Sequence, residues 1–457
     1  MTAEIQDFKK EKINEFSKDF ILDSLELIKN NKLKITNYEE LLPILRNGKY
    51  VSIKKQKIID YDYFCRQELS ERLESLDSFE LLNDIISEQP IKFFFRNTHE
   101  KYFESQPDLI EKKTKDIIKI FLGVYLERSC DATFSNDAFS ETFESFYDFI
   151  NNYESDEYII PLYNFTSDLK SEKLDFNGII LRQITPLELK IISNLEEYEI
   201  VLDEFTKLEY VLELHVRSKN IPEGIEKARK NFDVLVNALS LEIPGQILTP
   251  QIFCNINNPW KNISKNNFGK ISLSEKSMKF NVEEFSKIKK LFKLIGELDL
   301  DLDEHVFLKT AIERFRFGLN RDTFVDKIID YAVSMECLYS SGPGDLTRKL
   351  SQRCSLLMGK NDNVREEILN FLKDAYNFRS KIIHGDKLPK VKLSGRVLLD
   401  AEIVENLESI NRMSLKKFLN LSSHYKEKQK NSQIVRDLDI ALINRKKLLE
   451  INKKSKN

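Results

Sequence analysis

The spacing of apolar residues divides the chain into three styles. Between residues 8 and 155 apolar positions recur at helical intervals, as in Phe16 to Ile28 and Lys115 to Glu127, with few Gly or Pro between them. This predicts a mostly helical first region. From Tyr158 the period shortens. Gly178-Ile179-Ile180-Leu181-Arg182-Gln183-Ile184 and Leu208-Glu209-Tyr210-Val211-Leu212-Glu213-Leu214-His215-Val216 read as strands, the second alternating through most of its length. Further strand candidates fall at 247 to 256 and 270 to 273, and a helix from about 222 to 241 precedes them. His215, in the alternating strand, reads as an outward or edge residue with no nearby partner to activate it. Asn257-Asn258-Pro259 and Trp260 mark a loop. Helical spacing returns at Asn281, a good N-cap with Glu284 three residues later. It runs over roughly 282–297, 303–320, 322–340, 345–359, 364–384 and 398–421. Short connections favour antiparallel neighbours in a bundle.

The expected fold class is α+β, predominantly α-helical. Residues 1–157 form a mostly helical region suited to regulation or sensing, 158–280 a small mixed α/β domain, and 281–430 a helical bundle. Residues 431–457 read as a basic polar tail or one extra helix, because 434 to 449 is amphipathic. At 457 residues the chain exceeds one ordinary core, and a 41% hydrophobic content supplies folded interiors.

Charge narrows the partners. Lys and Arg total 71 against 74 Asp and Glu, a net charge of −3, so bulk attraction does not draw nucleic acid and any such contact must be local. The basic runs at 112–115, 287–293 and 445–456 read as solvated helix faces or frayed ends, the last also able to reach phosphates. Cys65, Cys130, Cys254, Cys337 and Cys354 show no C-x-x-C spacing, which suits reduced thiols in a cytoplasmic protein. His99, His215, His305, His384 and His424 are dispersed without zinc or haem spacing, so no metal or other cofactor is expected. The polar N-terminus resembles neither a signal nor a transit peptide. The most apolar stretch, 117 to 126, is too short to span a bilayer and contains Lys119, so no membrane partner is expected.

One hexapeptide looks chemical: Arg379-Ser380-Lys381-Ile382-Ile383-His384. It ends a predicted helix whose Ile368, Leu372, Ala375, Ile382 and Ile383 make an apolar stripe, with Gly385 just beyond. At ~100° per residue Arg379 projects into that stripe, and a guanidinium there needs a carboxylate, a symmetry mate or a ligand anion. His384 lies about 140° round and ~7.5 Å further along. Exposed carbonyl dipoles at the helix end favour its protonated form, so it can titrate near neutral pH. An Arg and a titratable His with no acidic neighbour suit phosphodiester chemistry better than acyl or hydride transfer.

Three further blocks accompany the hexapeptide: Val333-Ser334-Met335-Glu336-Cys337-Leu338, then Ser341-Gly342-Pro343-Gly344, then Lys349 to Gly359 with Arg353 inside it. With Tyr376-Asn377-Phe378-Arg379-Ser380-Lys381-Ile382-Ile383-His384-Gly385 following in order, the chain resembles the ApeA-like branch of the HEPN domains, an all-helical nuclease superfamily of bacterial defence proteins. The resemblance covers roughly residues 305 to 420, is fainter over 158 to 300 and does not extend to 1–157. It implies an endoribonuclease that needs no metal and works as a homodimer, with two motif copies facing across a cleft. Arg379 and His384 would be catalytic, attack by a ribose 2′-hydroxyl leaving a 2′,3′-cyclic phosphate and a 5′-hydroxyl. The implied partners are RNA, with transfer RNA among the candidates, a second copy of the bundle and a phage-derived trigger for abortive infection. Many members place Asn, Asp or His after the motif Arg. Here Ser380 stands, able to bond a phosphate oxygen or His384 but not to carry a proton.

Supporting or orienting positions follow from the same stripes. Arg353 falls on the apolar stripe of Leu346, Leu350 and Leu357, and Glu336 sits at the edge of that of Phe324, Ile328, Tyr331 and Met335. An ion pair from Glu336 to Arg353 or Arg379 would satisfy buried charge. Tyr376 reads as core edge, with base stacking the alternative. An inactive bundle that binds RNA or a protein partner is the competing reading of the whole, favoured by Ser380 and the absence of a basic excess.

Overall fold

The computed structural model describes residues 3–30, 37–46, 49–59, 61–87, 107–129, 133–151, 155–169, 172–195, 208–218, 220–261, 263–268, 277–300, 302–340, 345–425 and 430–455. The fold is α+β and mostly helical. It divides into two compact units.

The first unit comprises residues 1–162, 177–230 and 249–271. Helices α1 (Ala3–Asn30), α2 (Asp77–Ser87), α3 (Pro107–Ser129) and α4 (Asn136–Asn151) carry the apolar positions that the helical spacing predicts. Strands β1 (Asn37–Arg46) and β2 (Lys49–Ile59) form an antiparallel hairpin within the stretch read as helical. Tyr50, Val51 and Ile53 favour strand, and the intervening sequence Asn47-Gly48 is a hairpin dipeptide, a local signal that the surrounding helical spacing masks. Phe121, Phe139, Phe143, Phe146 and Phe149 build an aromatic core with Trp260. The indole sits 6.1 Å from the Phe121 ring and 5.2 Å from that of Phe146, and its N–H donates to Ser145 Oγ at 3.0 Å. Buried indoles keep such a partner.

The unit's remaining strands are β3 (Ser155–Leu162), β4 (Ile179–Gln183), β5 (Tyr210–Arg217), β6 (Gln251–Cys254) and β7 (Ser264–Asn267). They lie in the order β4-β5-β3-β6-β7, each pair antiparallel. Glu157 faces His215 across the central pair, and Ile159 faces Glu213. Since side chains alternate along a strand, Glu157, Glu213 and His215 share one face. Helix α5 (Pro186–Leu195) follows β4. The strand expected at 270 to 273 lies outside the described residues.

Helix α6 (Ile221–Glu242) begins in the first unit, and its second half belongs to the other, which comprises residues 163–176, 231–248 and 272–457. There follow α7 (Phe285–Leu298), α8 (Val306–Asn320), α9 (Phe324–Tyr339), α10 (Leu346–Met358), α11 (Asp362–His384), α12 (Asp400–His424), α13 (Lys430–Ala441) and α14 (Arg445–Lys454). Their starts are written in the sequence. Thr323, Asp345 and Asn361 each accept a backbone N–H three residues on, at 3.0 to 3.2 Å, which satisfies an orphan donor of the first turn. Residues 430–454 form two helices that bury Ile434, Val435, Leu438, Leu448 and Ile451, so this stretch contributes to the core.

Helices α8 and α9 approach closely at Gly318, where a Cβ would lie 2.4 Å from the Tyr331 ring. Nearby, buried Ser334 donates to the Ala311 carbonyl at 2.6 Å, and Asn411 of α12 donates to that of Tyr331 at 3.1 Å. Among the described residues no helix is long and apolar enough to cross a membrane.

Candidate functional site

Helix α11 positions the Arg and His. Asn361 caps its start, and Phe371, Leu372, Ala375, Tyr376 and Phe378 are its buried residues. Arg379 stands one turn beyond Ala375 with its side chain 25% exposed, at the margin of the core. Its Nη2 lies 3.6 Å from Glu336 Oε1 of α9, an ion pair too long for a hydrogen bond. Arg379 Nε and Glu336 Oε1 are both buried and, among the described residues, have no hydrogen-bond partner. Burial raises the Glu336 carboxyl above its ordinary range, and the Arg379 charge only partly opposes it. The guanidinium is thus held by charge while donors of its fork remain available.

His384 is the last residue of α11 and is exposed. Gly385 follows at φ 69°, the left-handed conformation that ends helices, and Asp386 N–H closes the turn onto the Lys381 carbonyl at 2.9 Å. Lys381 donates to the Asp386 carboxylate at 2.7 Å. Among the described residues no hydrogen bond engages the His384 imidazole, so it is free to meet a ligand. Ser380 is half-buried and makes no bond to it. Ile383, read as part of the apolar stripe, is half exposed because the stripe runs out at the helix end.

The other supporting residues are placed differently. Arg353 is buried, but its partner is Asp439 of α13, not Glu336: Nε and Nη2 reach the two carboxylate oxygens at 2.7 and 2.8 Å. Its Nη1 donates to the Tyr339 carbonyl at 2.6 Å. All three nitrogens are engaged, so Arg353 is a structural clamp and the choice between Arg353 and Arg379 for Glu336 falls to Arg379. Tyr376 is buried and donates to the Ala332 carbonyl at 2.8 Å, which leaves no ring face for a base. The Ser341-Gly342-Pro343-Gly344 turn lies outside the described residues.

A second polar constellation, in the first unit, was read in the sequence only as a lone structural His215. His215 Nε2 lies 3.2 Å from Glu213 Oε1, and these two and Glu157 bring their ligand atoms within 4.8 Å of one another. The bond to His215, with Arg182 behind it, pulls the Glu213 carboxyl down to about 2, and His215 is raised in turn. Burial raises Glu157 against the amide bonds from Asn257. Alternation hinted that Glu213 and His215 share a face, but the pairing with Glu157 depends on strand register. These are the residues that can hold a metal.

Compared with known proteins, the chain matches no family model, no curated protein and no solved structure. The chemistry of its own side chains therefore carries the functional reading.

Proposed function

We propose that this chain is a cytoplasmic endoribonuclease of the ApeA-like HEPN type, acting through Arg379 and His384. The observation that supports this best is the unspent guanidinium: a half-buried Arg379 with an unbonded Nε, on the same helix end as an exposed imidazole. Neutral His384 takes the proton of a ribose 2′-hydroxyl as that oxygen attacks its own phosphate. Protonated His384 of a second copy supplies one to the departing 5′-oxygen. Arg379 holds the non-bridging oxygens and offsets the charge that grows on the pentacoordinate phosphorus. The products are a 2′,3′-cyclic phosphate and a 5′-hydroxyl, and DNA, without the 2′-hydroxyl, resists. Homodimerisation, a phage-derived trigger and a role in abortive infection belong to the same proposal and rest on the sequence resemblance.

An inactive bundle that binds RNA or a protein partner is the second reading. Ser380 and the Glu336 carboxylate facing Arg379 favour it. The test is incubation of purified protein with total cellular RNA in EDTA, with end chemistry mapped by sequencing. Arg379→Ala and His384→Ala are each expected to lower cleavage by ~100-fold or more, the scale of a lost acid–base or oxyanion contact. RNA bound but uncut by the wild type selects the inactive module.

A further inference from the structure

The first unit contains a cavity of about 410 Å³ whose lining includes Glu157, His215, Arg217, Asn257, Asn258 and Trp260. Its chemistry is unlike that of the bundle. Glu157 is 7% exposed, and the Glu213 side chain 17%, whereas that of His215 is 59% exposed, so two carboxylates lie beneath an accessible imidazole.

We propose that Glu157, Glu213 and His215 form a binding site for a divalent transition-metal ion of the Zn²⁺ or Mn²⁺ kind, open on one side to this cavity. The proposal is independent of the ribonuclease reading. Two carboxylates and an imidazole are the ligand types these ions take, and three protein ligands leave a position for water or a ligand oxygen. The spacing fits. Donors about 2.1 Å from one ion lie about 3.0 Å apart at right angles and about 3.4 Å apart in a tetrahedron. The observed 3.2 Å between His215 Nε2 and Glu213 Oε1 falls between these values. Glu157 comes from the facing strand, directly opposite His215, so no loop need move to bring the trio together.

The carboxylates are also oriented from behind, as metal ligands generally are. Arg182 Nε donates to Glu213 Oε2 at 2.5 Å, which leaves Oε1 toward His215. Asn257 donates through its backbone N–H to Glu157 Oε2 at 2.9 Å and through its side chain to Oε1 at 2.8 Å. The same amide reaches Glu188 Oε1 at 2.6 Å, and Glu188 pairs with Arg182 through both terminal nitrogens. The charges do not balance within this network. With His215 neutral, as a ligating imidazole must be, Glu157, Glu188 and Glu213 face a single guanidinium, Arg182, and the exposed Arg217 and Asp148 at the cavity lining are of opposite sign. Lys261 is paired with Asp156 at 2.8 Å. A doubly charged cation would neutralise the two negative charges left over, which burial otherwise makes costly.

Titration calorimetry of the tag-free full chain, stripped with a chelator and dialysed, tests this with ZnCl₂ and MnCl₂ separately. One site per chain is expected for at least one ion, weakened at least 10-fold by His215→Ala and by Glu157→Gln and unchanged by His424→Ala at an exposed histidine elsewhere. Thermal melting of the stripped variants checks that they fold, and Glu213→Gln replaces any that does not. Ion binding should also raise the wild-type melting midpoint by mass action. No binding tighter than millimolar by either ion, or binding unaffected by the ligand substitutions, overturns the site without bearing on Arg379 and His384.

Discussion

Glu336 gives a residue-scale test of the bundle's electrostatics. Its carboxyl is raised in the folded chain, chiefly by burial, from an ordinary value of 4.5. Between 4.5 and the raised value the native state binds more protons than the unfolded one, so this group's contribution to stability declines as pH rises through that window and is level above it. Glu336→Gln removes the effect. Urea midpoints should be similar for the two proteins near pH 4 and higher for the variant near pH 8; a gap of constant size across that range contradicts the assignment. Arg353 behaves differently, because all its nitrogens are bonded. Arg353→Ala strips the Tyr339 carbonyl and Asp439 of their donors and should cost roughly 3 kcal/mol in urea unfolding. Asp439, half exposed, can turn to water, so the loss sits at the low end of that scale.

At the scale of elements, the second unit was the more legible. Thr323, Asp345 and Asn361 start, and Gly385 ends, helices that periodicity also marks, so two independent local signals agree at those ends. The hairpin at 37–59 was missed because its strand-forming residues stand among helical neighbours. Partnerships were less visible still. Asp439 lies 86 residues from Arg353, and nothing in either segment names the other. Likewise the Glu157–His215 pairing exists only through the register of two strands whose order the sequence does not state. The Arg379 placement was legible since an ionised side chain on an apolar stripe calls for a partner wherever it occurs. Helix packing has its own check at Gly318: adding a methyl against the Tyr331 ring should overpack the α8–α9 contact. Gly318→Ala should therefore destabilise by about 1–3 kcal/mol in urea unfolding, although the same change in an open helix stabilises.

For the whole molecule, the proposed ribonuclease activity together with a net charge of −3 requires that RNA be held by local groups. Cleavage should weaken with salt no more steeply than a few phosphate contacts allow, a log–log slope of roughly −2 to −4, measured between 50 and 200 mM KCl at fixed substrate. A steeper dependence would point to an extended basic track. Trp260 is the chain's single tryptophan and is packed among phenylalanines in the first unit. Fluorescence excited beyond tyrosine absorption therefore comes from one indole and follows one unit, shielded and blue while that core is intact, red once water reaches it. Far-ultraviolet ellipticity, by contrast, sums helices throughout the chain. Recorded on the same sample, the two signals assign each stage of denaturation to its unit, with no label introduced.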